Sequence, residues 1–262
     1  MTADIPEPRI DRGKPHAARV YDYLLGGKDN YLVDQEVGRQ LPEDSRRDSR
    51  LNRAFMHRAV AWAARSGVDQ YLDIGTGIPT QPNLHQIVQE IEPAARIVYT
   101  DNDPIVLAHA EALLISTPDG ATDYIEADVR RPHEILEHAR GFLDFTRPVA
   151  LSLIALLHFV PDEDDPYGIV RTLVDALPSG SLLTLSQGTA DFQPRDLVGK
   201  VTSTYDKGGI TLRLRTRTEV ERFFDGLDLV APGLVTAPEW FKDQPAPARE
   251  QSSFYVGVAR VR

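Results

Sequence analysis

The stretch Tyr71-Leu72-Asp73-Ile74-Gly75-Thr76-Gly77 has the form of a buried strand running into a glycine turn, and one helix later Tyr99-Thr100-Asp101-Asn102-Asp103-Pro104 ends a second strand on an acid. Glycines at 75 and 77 let the backbone turn tightly and let a ligand approach where a Cβ would collide. An acid roughly twenty residues further on is where a nucleotide-binding βαβ unit accepts hydrogen bonds from ribose hydroxyls. A glycine doublet alone marks many loops that bind nothing; the paired acid makes it a pocket for an adenosine-bearing cofactor. A helix is expected almost at once after the turn.

The turn also separates candidate cofactors. Thr80 stands where the dinucleotide fingerprint has its third glycine, and Pro79 and Pro82 remove backbone donors that a diphosphate needs. A ligand without phosphates fits better. Asp73 interrupts an apolar run, where a buried carboxylate is costly without partners. It either ties down the glycine loop through backbone N–H groups or faces a cationic ligand, and the two roles are compatible. S-adenosylmethionine, with its ammonium, sulfonium, carboxylate and ribose, suits one acid at the first turn and one at the end of the second strand.

A third strand, Tyr124-Ile125-Glu126-Ala127-Asp128-Val129-Arg130, again ends on an acid, and Val149 to Pro161 has the form of a fourth strand with its exit loop. With these four landmarks in order, the chain resembles a class I S-adenosylmethionine-dependent methyltransferase over roughly Val60 to Arg262. Ala18-Arg19-Val20-Tyr21-Asp22-Tyr23-Leu24-Leu25-Gly26-Gly27-Lys28-Asp29-Asn30-Tyr31 is similar to the opening of a little-characterised S-adenosyl methyltransferase family. The resemblance implies a cofactor set of Asp73, Gly75, Thr76, Gly77, Asp101, Asn102, Asp128, Val129 and Ile154, with Tyr23 from the N-terminal tract. It puts Asp101 on the ribose and Asp128 on the adenine amino group. It further implies a Rossmann-like, doubly wound, mostly parallel seven-stranded sheet with an antiparallel last strand, preceded by an N-terminal helical cap. The activity implied is methyl transfer to an unidentified acceptor. A non-catalytic S-adenosylmethionine-binding regulator and an NAD-dependent oxidoreductase stand as alternatives, the latter opposed by Thr80.

With 262 residues and 42% hydrophobic content, one large domain with a helical appendage is expected. Residues 1–58 would form the tail and cap, and residues 59–262 the cofactor domain. A net charge of −10 opposes a generic nucleic-acid footprint and favours a small-molecule acceptor. The absence of cysteine removes disulfides, thiolate metal sites and cysteine nucleophiles. No metal is expected, and oligomeric state is open. The opening residues lack an apolar h-region and the longest apolar run, Val149 to Val160, is broken by Ser152 and His158, so a cytoplasmic protein without membrane partners is expected.

Alternating strand and helix signals from Gln70 onward predict a parallel sheet with right-handed crossovers and ligands beyond its carboxyl edge. Strands are expected at 70–74, 96–100, 124–127, 149–154, 181–186, 228–230 and 253–258. Met1 to Pro15 reads as a tail, Ala17 to Leu25 as a helix stopped by Gly26-Gly27, and 42–48 as a solvated charge run. Asp103-Pro104 and Asp165-Pro166 are signed helix starts, and Thr216 to Glu219 has capping-box spacing. His158, at the end of the fourth strand, is the candidate general base for an oxygen acceptor. His85 is assigned to solvent, the carboxylates of 161–165 to a solvated loop, and Tyr21, Tyr23, Tyr31, Arg19 and Asn30 either to a lid or to helix packing.

Overall fold

A computed structural model describes residues 11–113, 115–240 and 252–262. The tail expected over residues 1–15 lies outside these as far as residue 10. Three helices come first: α1 (Ala17–Leu25), α2 (Leu32–Gln40) and α3 (Asp44–Arg65). Then follow β1 (Gln70–Ile74), α4 (Leu84–Gln89), β2 (Arg96–Asp101), α5 (Pro104–Leu113), β3 (Ala121–Glu126), α6 (Pro132–Arg140), β4 (Ala150–Ile154), α7 (Pro166–Asp175) and β5 (Leu182–Gly188). The chain closes with α8 (Arg195–Lys207), α9 (Arg217–Glu221), β6 (Asp228–Leu229), β7 (Val235–Thr236) and β8 (Phe254–Arg260).

The sheet runs β3-β2-β1-β4-β5-β8-β6, with β7 also on β8. The first five strands pair in parallel and β8 is antiparallel to β5. The strand order reverses between β1 and β4, which opens a crevice at their carboxyl ends. The expected doubly wound architecture is therefore present, with eight strands rather than seven. The addition is β7, whose two residues are too few to give an alternation signal. β3 begins three residues earlier than its apolar core suggests, because Ala121-Thr122-Asp123 sits on an edge strand that need not be apolar on both faces.

Side-chain alternation divides the core. Leu72, Ile74, Val98, Leu151 and Leu153 pack under α6 and α7, whereas Tyr71, Ile97, Tyr99 and Leu182 face Phe55, Ala59, Val60 and Ala63 of α3. Asp73 shares the face of Tyr71 and so looks toward α3. α3 is one continuous helix of 22 residues, and the boundary expected at 58/59 falls inside it. The charge run expected over 42–48 is solvated only in part: Glu43 and Asp44 are exposed, whereas Asp48 is 4% exposed and accepts the Ser253 N–H at 3.2 Å.

The signed helix starts are present. Asp103 accepts from Ile105 N at 3.1 Å, Asp165 from Gly168 N at 3.0 Å, and Thr216 and Glu219 cap each other. The helix after the glycine turn differs from expectation. It begins only at Leu84 and lasts six residues, since Pro79 and Pro82 keep the intervening backbone from forming a regular first turn.

Candidate active site

The β1 turn is held from the neighbouring strand. Gly75 and Thr76 both donate their N–H to Thr100 O, at 2.8 and 3.1 Å, and Gly77 donates to Asp101 Oδ2 at 2.8 Å. Gly75 and Gly77 have φ of +74° and +67°, where an L side chain is strained. All three N–H groups are thus consumed internally, which counts against a diphosphate held by the glycine turn of an NAD-type site.

Around this turn lies an open cleft of about 1420 Å³ at the β1/β4 switch point. Asp73, Gly75, Thr76, Gly77, Asp101, Asn102, Asp128, Val129 and Ile154 all line it, as the sequence predicts. Tyr23 does not. Two residues along α1 point to nearly opposite sides of the helix, so Tyr21 faces the cleft while Tyr23 packs on Gly38 under Arg46. His16, Arg53, Ala155 and Phe159 also line the cleft, and none of them belongs to the expected cofactor set.

Three acids sit in three electrostatic settings. Asp73 is 9% exposed, and burial pushes its carboxyl up to about 7 even though Arg53 opposes the shift. A cationic ligand group would hold it ionised. Asp101 is likewise raised by burial, opposed by the N–H groups of Asp103 and Gly77. At Asp128 burial acts in the same direction, but the hydrogen bonds and charge of Arg130 outweigh it and keep the carboxyl below its usual range. Arg130 reaches Asp128 Oδ2 at 2.5 Å, and Asn102 lies 3.5 Å from the same oxygen.

The N-terminal helices close one side of the cleft. His16 Nδ1 lies 3.0 Å from Asp103 Oδ2 and Arg19 Nε 3.4 Å from the same oxygen, so α1 docks on the exit of β2. Tyr21 donates to Ser49 O at 3.0 Å, which fixes its ring between α1 and α3. Opposite, Arg215, wholly buried, donates to Leu157 O and Val160 O and pairs with Asp162 at 2.8 Å, clamping the loop after β4. Part of the acidic loop is therefore engaged with arginine. Ala155 in that loop has φ of +52°, uncommon for a residue with a Cβ.

His158 lies outside this cleft, lining a second cavity, open to solvent, whose residues Tyr21 and Phe159 also line the first. Its Nδ1 accepts the Gly188 N–H at 3.4 Å. Burial, with the nearby Arg215 charge, drives its pKa down to about 3. His85 is also buried, against Tyr99, whose hydroxyl is 2.9 Å from Nδ1; it faces neither solvent nor the cleft.

The residues present fit S-adenosylmethionine. The cleft offers a carboxylate that calls for a cation and acids at two strand exits, with the glycine-turn N–H groups already engaged. A Rossmann-like sheet with a cleft at its switch point is the architecture of nucleotide-cofactor enzymes, and the family decides which. The chain belongs to the S-adenosyl methyltransferase family, which it matches over residues 3–262. It is similar to a DUF574 family protein from Streptomyces avermitilis MA-4680, at 49% identity over 97% of this chain and 100% of that one, with a TM-score of 0.92. It is also similar to a methyltransferase candidate from Thermobifida fusca YX, at 35% identity over 99% and 100% of the two chains, with a TM-score of 0.87. An S-adenosylmethionine-dependent methyltransferase from Anabaena variabilis ATCC 29413 shares the fold, with 14% identity, a TM-score of 0.52, and coverage of 95% of this chain and 97% of that one. No curated protein matches the chain.

Proposed function

We propose that this methyltransferase acts on a small molecule held in the second cavity, with the methyl group passing between Tyr21 and Phe159. The observation that carries this reading is that the same two rings line both cavities. In this reading Asp128 and Val129 receive the adenine, Asp101 and Asn102 the ribose, and Asp73 the ammonium group, with the Gly75-Thr76-Gly77 turn beneath and Ile154 beside it. α1 and α2, with the first turns of α3, act as a cap, Tyr21 supplying its contact in place of Tyr23. When bound, the cofactor supplies an electrophilic methyl carbon, whose C–S bond breaks as the acceptor's lone pair attacks, leaving S-adenosylhomocysteine.

The protein's part is alignment and exclusion of water, which for an in-line displacement supplies much of the effect. His158 takes a different role from the general base its position suggests. A ring with a pKa near 3 is neutral and weakly basic at working pH. Because Nδ1 is engaged by Gly188, the proton sits on Nε2, which donates toward the acceptor and positions it. The net charge of −10 and an apolar acceptor pocket favour a small molecule over nucleic acid. Among the described residues no helix is long and apolar enough to cross a membrane, and a cytoplasmic setting accords with the supply of the cofactor.

The test is turnover with methyl-labelled cofactor and a cell metabolite extract. A labelled small product is expected from the native protein. It should be lost in Leu197→Trp, which fills the second cavity, while S-adenosylhomocysteine still binds. Label appearing only in macromolecules, or no product across varied extracts, would overturn the reading, the second outcome favouring a regulator.

A further inference from the structure

The lining of the second cavity selects among acceptors by charge. Its interior is apolar and aromatic, with His158 held between Phe159 and Phe254 at ring distances of 4.3 and 5.8 Å, and Leu197 and Tyr205 closing it from α8. Among the described residues no lysine or arginine lines it, and the neutral imidazole adds no positive charge. Two carboxylates do line it: Asp44, exposed, and Asp48, 4% exposed. Arg47, outside the cavity, faces both, at 3.3 Å from Asp44 Oδ1 and 3.4 Å from Asp48 Oδ1. One guanidinium against two carboxylates leaves this end of the cavity with a net negative charge, part of it desolvated. His158, a side chain 5% exposed, uses Nδ1 for the Gly188 N–H and makes no hydrogen bond through Nε2 to any described residue, which leaves Nε2 free to bond a ligand.

Resting on the reading that this cavity is the acceptor site, we infer that the acceptor is an apolar, aromatic-sized molecule carrying a protonated amine, recognised by Asp48 and Asp44, and that anionic acceptors are rejected. An amine placed there gains a charge-assisted hydrogen bond at the partly desolvated Asp48, whereas a carboxylate meets two like charges against the single Arg47 guanidinium.

Three probes of one skeleton test this: 1-naphthylmethylamine, 1-naphthalenemethanol and 1-naphthoic acid, titrated calorimetrically into the full chain saturated with S-adenosylhomocysteine. The amine is expected to bind at least about tenfold more tightly than the alcohol, and the acid not measurably. Asp48→Asn should bring amine and alcohol to within about threefold of each other. Asp44→Asn, at an exposed position, should narrow the gap by about two- to threefold, which keeps the test decisive if the Asp48 variant does not fold. Acid binding as tight as the amine, an amine preference unchanged in both variants, or no binding by any probe would overturn the inference. Leu197→Trp separates this from the underlying reading. Probe binding that persists there would remove the cavity as acceptor site, whereas binding lost there together with no charge preference in the native chain would overturn the amine inference alone.

Discussion

Asp101, at the end of β2, holds the β1 turn: its Oδ2 accepts the N–H of Gly77 at 2.8 Å across 24 residues of sequence. Its Oδ1 accepts from Asp103 N at 3.0 Å. The acid assigned to the ribose is therefore also the clasp of the glycine loop, and Asp103 in turn receives His16 and Arg19 from the cap.

Asp101→Ala should accordingly lose on two counts. Binding of S-adenosylhomocysteine is expected to weaken by about 1–3 kcal/mol, and the unliganded protein to be destabilised by a similar amount, since one buried and one half-buried N–H group lose their acceptor. Calorimetric titration and thermal melting read the two separately. Unchanged affinity would remove Asp101 from the ribose site, and an unchanged melting temperature would refute the clasp.

Asp73 ties cofactor affinity to pH. Its folded-state carboxyl titrates near 7 against an ordinary 3.8, so the folded chain keeps a proton that the unfolded chain has lost. Its contribution to unliganded stability therefore falls as pH rises from about 4 to about 7, by at most about 4 kcal/mol, and is level above that. Cofactor binding has the opposite sign, because the ammonium needs the ionised form. Affinity should rise as pH is taken from 5.5 to 8. Asp73→Asn should flatten that rise, bind weakly throughout, and melt higher than the native protein at pH 8. A variant that melts lower at pH 8 while binding normally would contradict this role.

The two turn glycines should respond differently to alanine. Both have positive φ, so each substitution costs about 1–2 kcal/mol in backbone strain. A Cβ on Gly77 meets nothing within 4 Å, but one on Gly75 falls 2.7 Å from Leu156 Cδ1, a side chain that lines the cleft. Gly75→Ala is expected to reduce cofactor affinity further, and Leu156→Ala to restore part of that loss. A double-mutant cycle measures the coupling, and additivity would exclude the contact.

Much of this was legible because the chemistry is local. Asp73, Gly75 and Gly77 are specified by a strand that must be buried and a turn that must be tight, and Asp103-Pro104 and Asp165-Pro166 by the geometry of helix starts. What escaped is held by long-range packing. Arg53 lies within a helix whose pattern signals only core contact, and Phe159 reads as part of an apolar run. Tyr21 and Tyr23 differ in role only through the rotational setting of α1 on α3, which no spacing within the helix determines. Asp48 sits in a charge run typical of a solvated face, yet it is buried against Ser253, some two hundred residues away, whose N–H it accepts.

His158 should leave no imprint on the pH profile. With a pKa near 3 it stays neutral above about pH 5, so kcat should show no limb near 6.5. His158→Gln, which retains a donor, is expected to keep kcat within about tenfold while raising KM, and His158→Phe to lose more of both. A limb near 6.5 that disappears in the variants would restore the general-base role.

The most direct test is electron density for the complex with S-adenosylhomocysteine. Adenine is expected beside Asp128 and Val129, ribose hydroxyls on Asp101, the amino group toward Asp73, and the sulfur facing the gap between Tyr21 and Phe159. A nucleoside seated outside the β1/β4 crevice, or a sulfur turned away from those two rings, would contradict the assignment of both cavities.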